Sequence, residues 1–309
     1  MPRCISFPFA LLFSIALGAN AIAETNDTDP NACKKIWSEI GLPAPNPGDH
    51  RTTRICHRGY ITGHNDNNKA PDWVIERLTP ALVTGDAIRE DQDFKADPAI
   101  KPPEKAAQPA DYDGSGFDKG HNAPAADFHG DQEALDDTFF FSNAVPQVGK
   151  GFNRSIWRSL ETHVRKLVTG DRPELYVITG PVPPDSKPIK ISGKTDVCKS
   201  SIELPVPSQE SICPENHKNK KAECTAGVAV PAGMYKIIYD PKSQHAFAIL
   251  FENIDHTGRY ASGRTFDYIQ AHKIGIGTIE DLTGLTFFPA IPDRVRRQMK
   301  ANCTDVKFR

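Results

Sequence analysis

Strand-like and helix-like segments follow one another irregularly along this 309-residue chain, and their order constrains the fold more than any other feature. A parallel α/β protein would show strands and helices in regular alternation, and this sequence does not. The order therefore predicts an α+β fold with a largely antiparallel central sheet flanked by helices. We interpret residues 54–63, 73–78, 139–141 and 175–180 as strands, and 235–239 with 246–251 as a hairpin.

The clearest helical pattern covers residues 153–168, and Gly170 follows where a helix commonly ends. Its apolar residues recur at a spacing of three or four and form one stripe. A second helix is predicted over 127–137. Residues 97–116, rich in Pro, Ala and Asp, are predicted to form an irregular surface loop. The apolar stripe consists of Ile156, Leu160, Val164 and Leu167.

The N-terminus has the pattern of an export signal. Arg3 precedes an apolar stretch over residues 5–17, and Ala21 and Ala23 provide the small residues of a cleavage site. We expect cleavage after Ala23 and a periplasmic or extracellular location. The alternative is an N-terminal membrane anchor, which the short apolar stretch disfavours. No later run reaches 18 apolar residues, so we expect no membrane association after cleavage.

Six cysteines remain after removal of Cys4 with the signal, and an even number in an exported protein favours disulfides. Fifteen pairings are open at this point. A zinc site is the alternative, but the chain has no Cys-x-x-Cys pair and its cysteine spacing is irregular. The six residues are Cys33, Cys56, Cys198, Cys213, Cys224 and Cys303.

After the signal at residues 1–23, the sequence suggests one domain with two attached features. Residues 24–50 are mostly polar and are interpreted as a leader into the fold. Residues 51–309 form the single domain, within which 182–227, rich in Pro, Lys and Ser, is interpreted as a disulfide-pinned insertion. The formal net charge is −2, so a polyanionic partner would require a local basic groove.

The first cluster of residues that could take part in catalysis lies at residues 118–127, Asp-Lys-Gly-His-Asn-Ala-Pro-Ala-Ala-Asp. His121 is suited to accept a proton near neutral pH, and Gly120 permits a close backbone approach. Asp118 is placed to orient or electrostatically bias the imidazole. Taken alone, such a cluster is more often a polar turn than a catalytic site.

A second cluster lies on the predicted helix, where Asn153, Trp157, Glu161 and Arg165 are spaced four residues apart and share one face. An amide oxygen and a carboxylate on one face suit a hard cation such as Mg²⁺, which prefers oxygen ligands and keeps most of its waters. The alternative is a solvated face with a Glu161–Arg165 ion pair and a buried Trp157. Taken alone, this second cluster also favours the structural alternative.

Together the two clusters resemble the DNA/RNA non-specific endonuclease family, the ββα-metal nucleases of the Serratia nuclease and endonuclease G type. The resemblance extends over roughly residues 55–292, and the ordered set is more specific than any one motif. It implies a ββα-metal core within the α+β fold. The supporting segments are residues 73–79, Arg89 with 94–98, 141–147, Asn153 with Trp157 and Glu161, 176–181 and 279–288.

The resemblance also implies roles. His121 would be the general base, and Asn153 the one direct protein ligand of a Mg²⁺ ion, for which Mn²⁺ can substitute. Glu161 would hold that ion through a bound water, and Arg89 and Arg165 would neutralise the phosphate. In-line attack would leave 5′-phosphate and 3′-hydroxyl ends on DNA and RNA fragments. The implied substrate contacts, made to backbone phosphates, are Lys119, Asn143 and Arg154.

One departure from the family pattern is Lys119, where most members have Arg. Arg presents a two-pronged fork to phosphate, whereas Lys presents a point charge, so we expect activity with altered geometry or preference. Two other functions are open: a catalytically silent nucleic-acid or surface-binding relative, and a toxin. The first would be expected to lack His121, Asn153 or Glu161, which are all present. The oligomeric state, monomer or homodimer, is open.

Overall fold

The computed structural model describes residues 26–27, 30–45, 52–90, 92–185, 187–192, 201–214 and 227–301. The predicted export signal lies outside the described residues, as do Cys198, Cys224 and Cys303. In the part of the chain that is described, no helix is both long and apolar enough to span a membrane.

The central feature is an eight-stranded sheet, in the order β1-β3-β4-β5-β8-β13-β14-β15. Every neighbouring pair in it is antiparallel except the two-residue contact between β1 and β3, so the predicted α+β class is confirmed. In chain order the strands are β1 Asn26–Asp27, β2 Ala44–Pro45, β3 Thr52–Cys56, β4 Tyr60–Asn65, β5 Ala70–Leu78, β6 Asp118–His121, β7 Ala144–Gln147, β8 Leu175–Val182, β9 Ile189–Ser192, β10 Ser201–Leu204, β11 Ser211–Ile212, β12 Val228–Ala229, β13 Gly233–Asp240, β14 His245–Glu252, β15 Lys273–Ile274 and β16 Leu285–Thr286.

Helices cover both faces of this sheet. The α-helices are α1 Pro30–Ile40, α2 Pro80–Val83, α3 Pro109–Tyr112, α4 Gln132–Asp137, α5 Arg158–Thr169, α6 Thr265–Ala271, α7 Ile276–Thr283 and α8 Asp293–Ala301. Single 3₁₀ turns occur at Pro103–Lys105, Ala125–Asp127 and Phe141–Asn143. A helical segment at Gly149–Trp157 leads directly into α5.

Alternation of side chains along the strands separates two cores. On one face Val74, Val177 and Ile238 join the apolar stripe of α5. On the other face Ile75 and Ile237 pack with residues of α1, α7 and α8. The stripe predicted for the helix is confirmed, because Ile156, Leu160, Val164 and Leu167 are all buried, and Gly170 is its C-cap.

Two predicted strands are corrected. Residues 54–63 form two strands, β3 and β4, because the chain reverses at His57–Gly59, where the His57 amide donates to the Tyr60 carbonyl. The apolar run at 139–141 forms no extended strand: Phe140 makes a single parallel bridge with Lys95, a 3₁₀ turn begins at Phe141, and the strand starts only at Ala144. Burial alone does not distinguish a buried turn from a buried strand.

The segment interpreted as a leader is partly inside the fold. Helix α1 buries Cys33, Ile36 and Ile40, whose spacing of three and four gives it one apolar side. Cys33 forms a disulfide with Cys56 on β3, which ties this helix to the sheet. Cys213 is also disulfide-bonded, in agreement with disulfides rather than zinc for these three cysteines. The pairing of Cys213 lies outside the described residues.

A compact ββα unit stands beside the sheet. Strands β6 and β7 form an antiparallel hairpin in which His121 pairs with Ala144, and the chain then enters the helical segment that continues as α5. Two glycines make this packing possible. A side chain at Gly120 would overlap that of Gln147, and Gly151 adopts a φ of 74° against the backbone of His256. The helix start at Asn153 is thereby set against β6.

Candidate active site

A cleft of about 410 Å³ lies over the ββα unit and collects most of the residues predicted to act. His121, Asn153 and Glu161 all contribute to its wall. The basic side chains described along it outnumber the acidic ones, since Glu161 is the acidic residue there. The chain therefore has a local basic groove despite its net charge of −2. The basic residues are Arg89, Lys119, Arg154, Arg158 and Arg165.

His121 stands at the end of β6 in an aromatic setting. Its ring centroid is 4.7 Å from that of Phe94 and 5.3 Å from that of Phe139. Its Nε2 atom is buried and has no hydrogen-bond partner among the described residues, and the residue lines the cleft. Burial, with the positive charge of Arg89, lowers the pKa of His121 to about 3. The imidazole is therefore neutral at physiological pH and able to accept a proton.

Asn153, in the first turn after Gly151, is oriented by Asp118. Its Nδ2 atom donates to Asp118 at 2.9 Å, which leaves its carbonyl oxygen for other ligands. Asp118 also accepts two hydrogen bonds from Arg154, at 2.7 and 2.8 Å. Burial opposes the shift, but these hydrogen bonds lower the pKa of Asp118. Asp118 is thus a carboxylate held between two residues of the helix.

This placement corrects the role predicted for Asp118. Positions 118 and 121 are three residues apart on a strand, so their side chains leave opposite faces. The Asp118 carboxylate therefore bonds with Asn153 and Arg154 rather than with the imidazole. Lys119 shares the face of His121, lines the cleft and has its ammonium 5.9 Å from the Phe141 ring centroid.

Glu161 lies two turns after Asn153 on the wall of the cleft. Burial raises its pKa to about 7, an effect opposed chiefly by the charge of Lys236. A nearby cation favours the ionised form of such a carboxyl group. Glu161 is therefore suited to accept a hydrogen bond from a water bound to a cation.

Two arginines on different elements point into the same cleft. Arg165 on α5 donates to Asp127 at 2.5 Å and to Thr162 at 3.1 Å, which orients its guanidinium. Arg89 is exposed and its guanidinium carbon lies 5.0 Å from the Phe139 ring centroid. Both line the cleft together with His121, so both add positive charge to it.

The donor set fits a hydrated hard cation better than a cation enclosed by protein ligands. No group of three or more His, Cys, Asp or Glu residues among those described could hold a metal ion. The cleft instead presents the Asn153 carbonyl oxygen with Glu161 nearby. Mg²⁺ commonly uses one or two protein oxygens and retains several waters, which matches this arrangement.

Asn143 does not reach the cleft, contrary to the predicted substrate contact. It is fully buried, its oxygen accepts from the Ala123 amide at 2.8 Å, and its Nδ2 donates to the carbonyls of Ala123 and Thr138. Its hydrogen bonds hold the loop that follows His121. Arg154 does line the cleft, and its side chain is 69% exposed although it pairs with Asp118.

Sequence analysis missed Arg158 and His129, which also line the cleft. Arg158 could have been found, because it lies four residues after Arg154 and three before Glu161 on one side of the helix. His129 carries no comparable signal. Its Nδ1 lies 2.9 Å from the Ala87 carbonyl, a contact that the tertiary fold creates.

Comparison with known proteins places the cleft in context. The family model described as DNA/RNA non-specific endonuclease matches residues 42–294. Nuclease C1 of Cunninghamella echinulata var. echinulata is 34% identical over 251 residues, covering 78% of this chain and 85% of that one. The mitochondrial nuclease of Saccharomyces cerevisiae is 44% identical over 125 residues, which are 40% of this chain and 37% of that relative.

A solved structure gives the same picture of the fold. The crystal structure of the EndoG/EndoGI complex superposes with a TM-score of 0.63 at 30% sequence identity. The superposition covers 84% of this chain and 93% of that chain.

Proposed function

Because the chain belongs to the DNA/RNA non-specific endonuclease family and is a nuclease, we propose that it hydrolyses phosphodiester bonds of both DNA and RNA without base selection. The proposal is carried by one observation: a single basic cleft gathers a neutral imidazole, an oriented amide oxygen and a carboxyl group. These are the groups that phosphodiester hydrolysis requires at one phosphorus atom.

His121 is the general base in this proposal. Its depressed pKa keeps the ring neutral, so a lone pair is available to take a proton from the attacking water. The negative charge of a bound phosphate would raise the basicity of the ring at the moment it is needed. The aromatic rings of Phe94 and Phe139 restrict the tilt of the imidazole.

Asn153 would be the direct protein ligand of one divalent ion, and Glu161 would hold one of its waters. Asp118 orients Asn153 by accepting from its Nδ2 atom, so the amide oxygen is the atom presented to the cleft. When bound, Mg²⁺ or Mn²⁺ supplies positive charge at the scissile phosphate and at the departing 3′ oxygen. The 5′-phosphate and 3′-hydroxyl products follow from departure of that oxygen.

The basic side chains explain the breadth of substrates. Arg89 and Arg165 would neutralise the reacting phosphate, while Lys119, Arg154 and Arg158 would contact neighbouring phosphates. Phosphate contacts carry no base information, so both DNA and RNA would be accepted. The same contacts make binding sensitive to salt, because counterions are released from the nucleic acid.

We also infer export of the protein into an oxidising compartment. The Cys33–Cys56 disulfide supports it, because such bonds persist outside the reducing cytosol. The signal-like pattern of residues 1–23 agrees. Several relatives are named as mitochondrial nucleases, and a mitochondrial location is the competing outcome. Expression in a bacterial host, followed by fractionation and N-terminal sequencing, distinguishes processing after Ala23 from retention of the segment.

The central test is a nuclease assay across substrates. Purified protein should degrade circular plasmid, single-stranded DNA and RNA in the presence of Mg²⁺, and excess EDTA should stop all three reactions. Cleavage of closed circles establishes endonuclease action, and end-labelling identifies the 5′-phosphate. Salt-dependent binding without cleavage in either Mg²⁺ or Mn²⁺ would instead support a catalytically silent relative.

A further inference from the structure

Lys236 is a buried lysine in the middle of the central sheet. It lies on β13, between β8 and β14, and is only 1% exposed. Its side chain leaves the sheet on the face that supports the ββα unit. An ammonium buried there is unfavourable unless it is paired and hydrogen-bonded, so its partners indicate its role.

The partners of Lys236 connect it to the loop that follows the proposed base. Its Nζ atom donates to Thr179 Oγ1 at 2.5 Å and to the main-chain carbonyl of Asn122 at 3.3 Å. Asn122 is the residue directly after His121, so this hydrogen bond acts on the end of β6.

The same ammonium lies beneath the helix that carries the other half of the site. Nζ is 5.3 Å from the centroid of the Trp157 ring, a cation–π contact. Trp157 follows Asn153 by four residues and precedes Glu161 by four, so the three share one side of the helix and Trp157 lies between the other two. Lys236 therefore contacts both halves of the cleft from below.

Buried acids explain why a cation is tolerated at this position. Glu76 and Asp127 are 1% and 2% exposed, and both interact electrostatically with Lys236, as does Glu161 on the cleft wall. Burial, and then the charge of Asp127, raises the pKa of Glu76 well above its usual value, whereas Lys236 opposes this shift. Asp127 in turn orients Arg165.

We propose that Lys236 is a positioning residue that sets the separation between His121 on β6 and Asn153 on the helix above it. A lysine needed only to balance the buried acids would not have to contact the Asn122 carbonyl and the Trp157 ring. The inference rests on the proposed function, because it assigns a purpose to the spacing of the two catalytic elements. It predicts that loss of the ammonium lowers turnover more than substrate binding.

The test replaces Lys236 with methionine, which has a similar shape and no charge, in the full chain. We expect kcat at saturating Mg²⁺ to fall about 10-fold to 100-fold, with KM for plasmid DNA changed by less than about threefold, since small misplacements of reacting groups have effects of this size. A second readout needs no catalysis: the imidazole NMR signals of His121 should shift in this variant.

Two further variants separate positioning from charge balance. Glu76→Gln combined with Lys236→Met removes one acid with the cation; we expect it to recover stability but not kcat. Tyr235→Phe, on the opposite face of the same strand, removes a hydrogen bond to Asp72 and serves as the matched control with unchanged kcat and unchanged His121 signals.

The results distinguish the two proposals. The role of Lys236 would be overturned if the double variant kept kcat within about twofold of the parent chain and its His121 signals did not shift. A change of that size is far smaller than the loss of kcat expected when reacting groups are misplaced. If the parent chain cleaves no nucleic acid but the His121 signals shift in the Lys236→Met variant, the positioning role is supported and the proposed function is removed.

Discussion

Two histidines of this molecule have very different surroundings. His57 lies 3.0 Å from Asp97 and 3.3 Å from the Ser142 hydroxyl, and Ser142 also donates to Asp97. These residue types are those of a serine hydrolase triad, but all three residues are at most 2% exposed. His121 has an Nε2 atom without a partner among the described residues, and it borders the basic cleft.

The difference shows that residue types and contacts do not by themselves identify a reactive site. His57 has its hydrogen-bonding capacity used inside the protein and no route to a substrate, so it stabilises the loop around Asp97. His121 has an unused ring nitrogen, and the residue lines the cleft. A catalytic group needs both, because proton transfer requires a free lone pair within reach of the substrate.

The largest expected effect on activity comes from replacing His121, and a separate replacement of His57 provides the comparison. His121→Ala should lower kcat for plasmid DNA by about 10²-fold to 10⁴-fold, the usual contribution of a general base. His57→Gln should lower the melting temperature instead, because it disturbs a buried hydrogen-bond network. Steady-state assays corrected for the folded fraction measure the first effect, and calorimetry measures the second.

If His57→Gln reduced kcat of the folded protein as strongly as His121→Ala, the contrast between the two sites would be lost. A His121→Ala variant with nearly parental turnover would likewise remove the imidazole from the mechanism. Far-ultraviolet circular dichroism of both variants provides the folding control.

Regular periodicity was sufficient to predict the parts of the fold that depend on local repetition. The stripe through Ile156 and Leu160 and the hairpin formed by β13 and β14 agree with the structure. Hydrophobicity without periodicity was insufficient at 139–141, where buried phenylalanines occupy a turn. Helix α1 was missed because its apolar side is short and surrounded by polar residues.

The site was predictable in its residue types and less so in its hydrogen bonds. The resemblance led to the cleft residues His121, Asn153 and Glu161. The partners of Asp118 could have been anticipated from strand alternation, whereas burial of Asn143 depends on a loop that no local pattern describes. Lys236 is a single charge within the otherwise apolar run from Met234 to Tyr239, and no local pattern indicates which groups it would contact.

The second-largest expected effect is on the Mg²⁺ dependence of activity when Glu161 is replaced. Glu161→Gln keeps the size of the side chain but removes its charge, so the Mg²⁺ concentration for half-maximal activity should rise, or activity fall, by about 10-fold to 100-fold. Lys166→Gln, an exposed charge-removing change on the same helix, is the control. Equal Mg²⁺ dependence of Glu161→Gln and the parent chain would exclude a role for Glu161 in holding the ion.

The unpartnered imidazole should also destabilise the fold in acid. The pKa of His121 is about 3 in the folded protein and near 6.5 in an unfolded chain, so the unfolded state binds more protons between these values. Stability is therefore lost as the pH falls below about 6.5. Between pH 7.5 and pH 5.5, the unfolding free energy of the parent chain should therefore fall by about 1 kcal/mol more than that of the His121→Phe variant.

Urea unfolding of parent and variant at the two pH values measures this difference. Replacing the exposed His245 with glutamine tests whether loss of any histidine has the same consequence. An identical pH dependence for the parent chain and His121→Phe would contradict a depressed pKa at this position. His121 would then differ from His57 only in lining the cleft.

The smallest expected effect concerns Lys119, which shares the cleft face of β6 with His121. Lys119→Arg keeps the charge and adds a second prong for phosphate, so KM for DNA should fall by no more than about threefold. Lys119→Gln removes the charge and should lower the slope of log KM against log salt by about one, as expected for a lost phosphate contact. Both variants should retain parental kcat at saturating substrate, because the residue acts on binding and His121 acts on the proton. A large loss of kcat in Lys119→Gln would place this ammonium at the reacting phosphate, and His121 would then share its face of the strand with a second group that acts in the transition state.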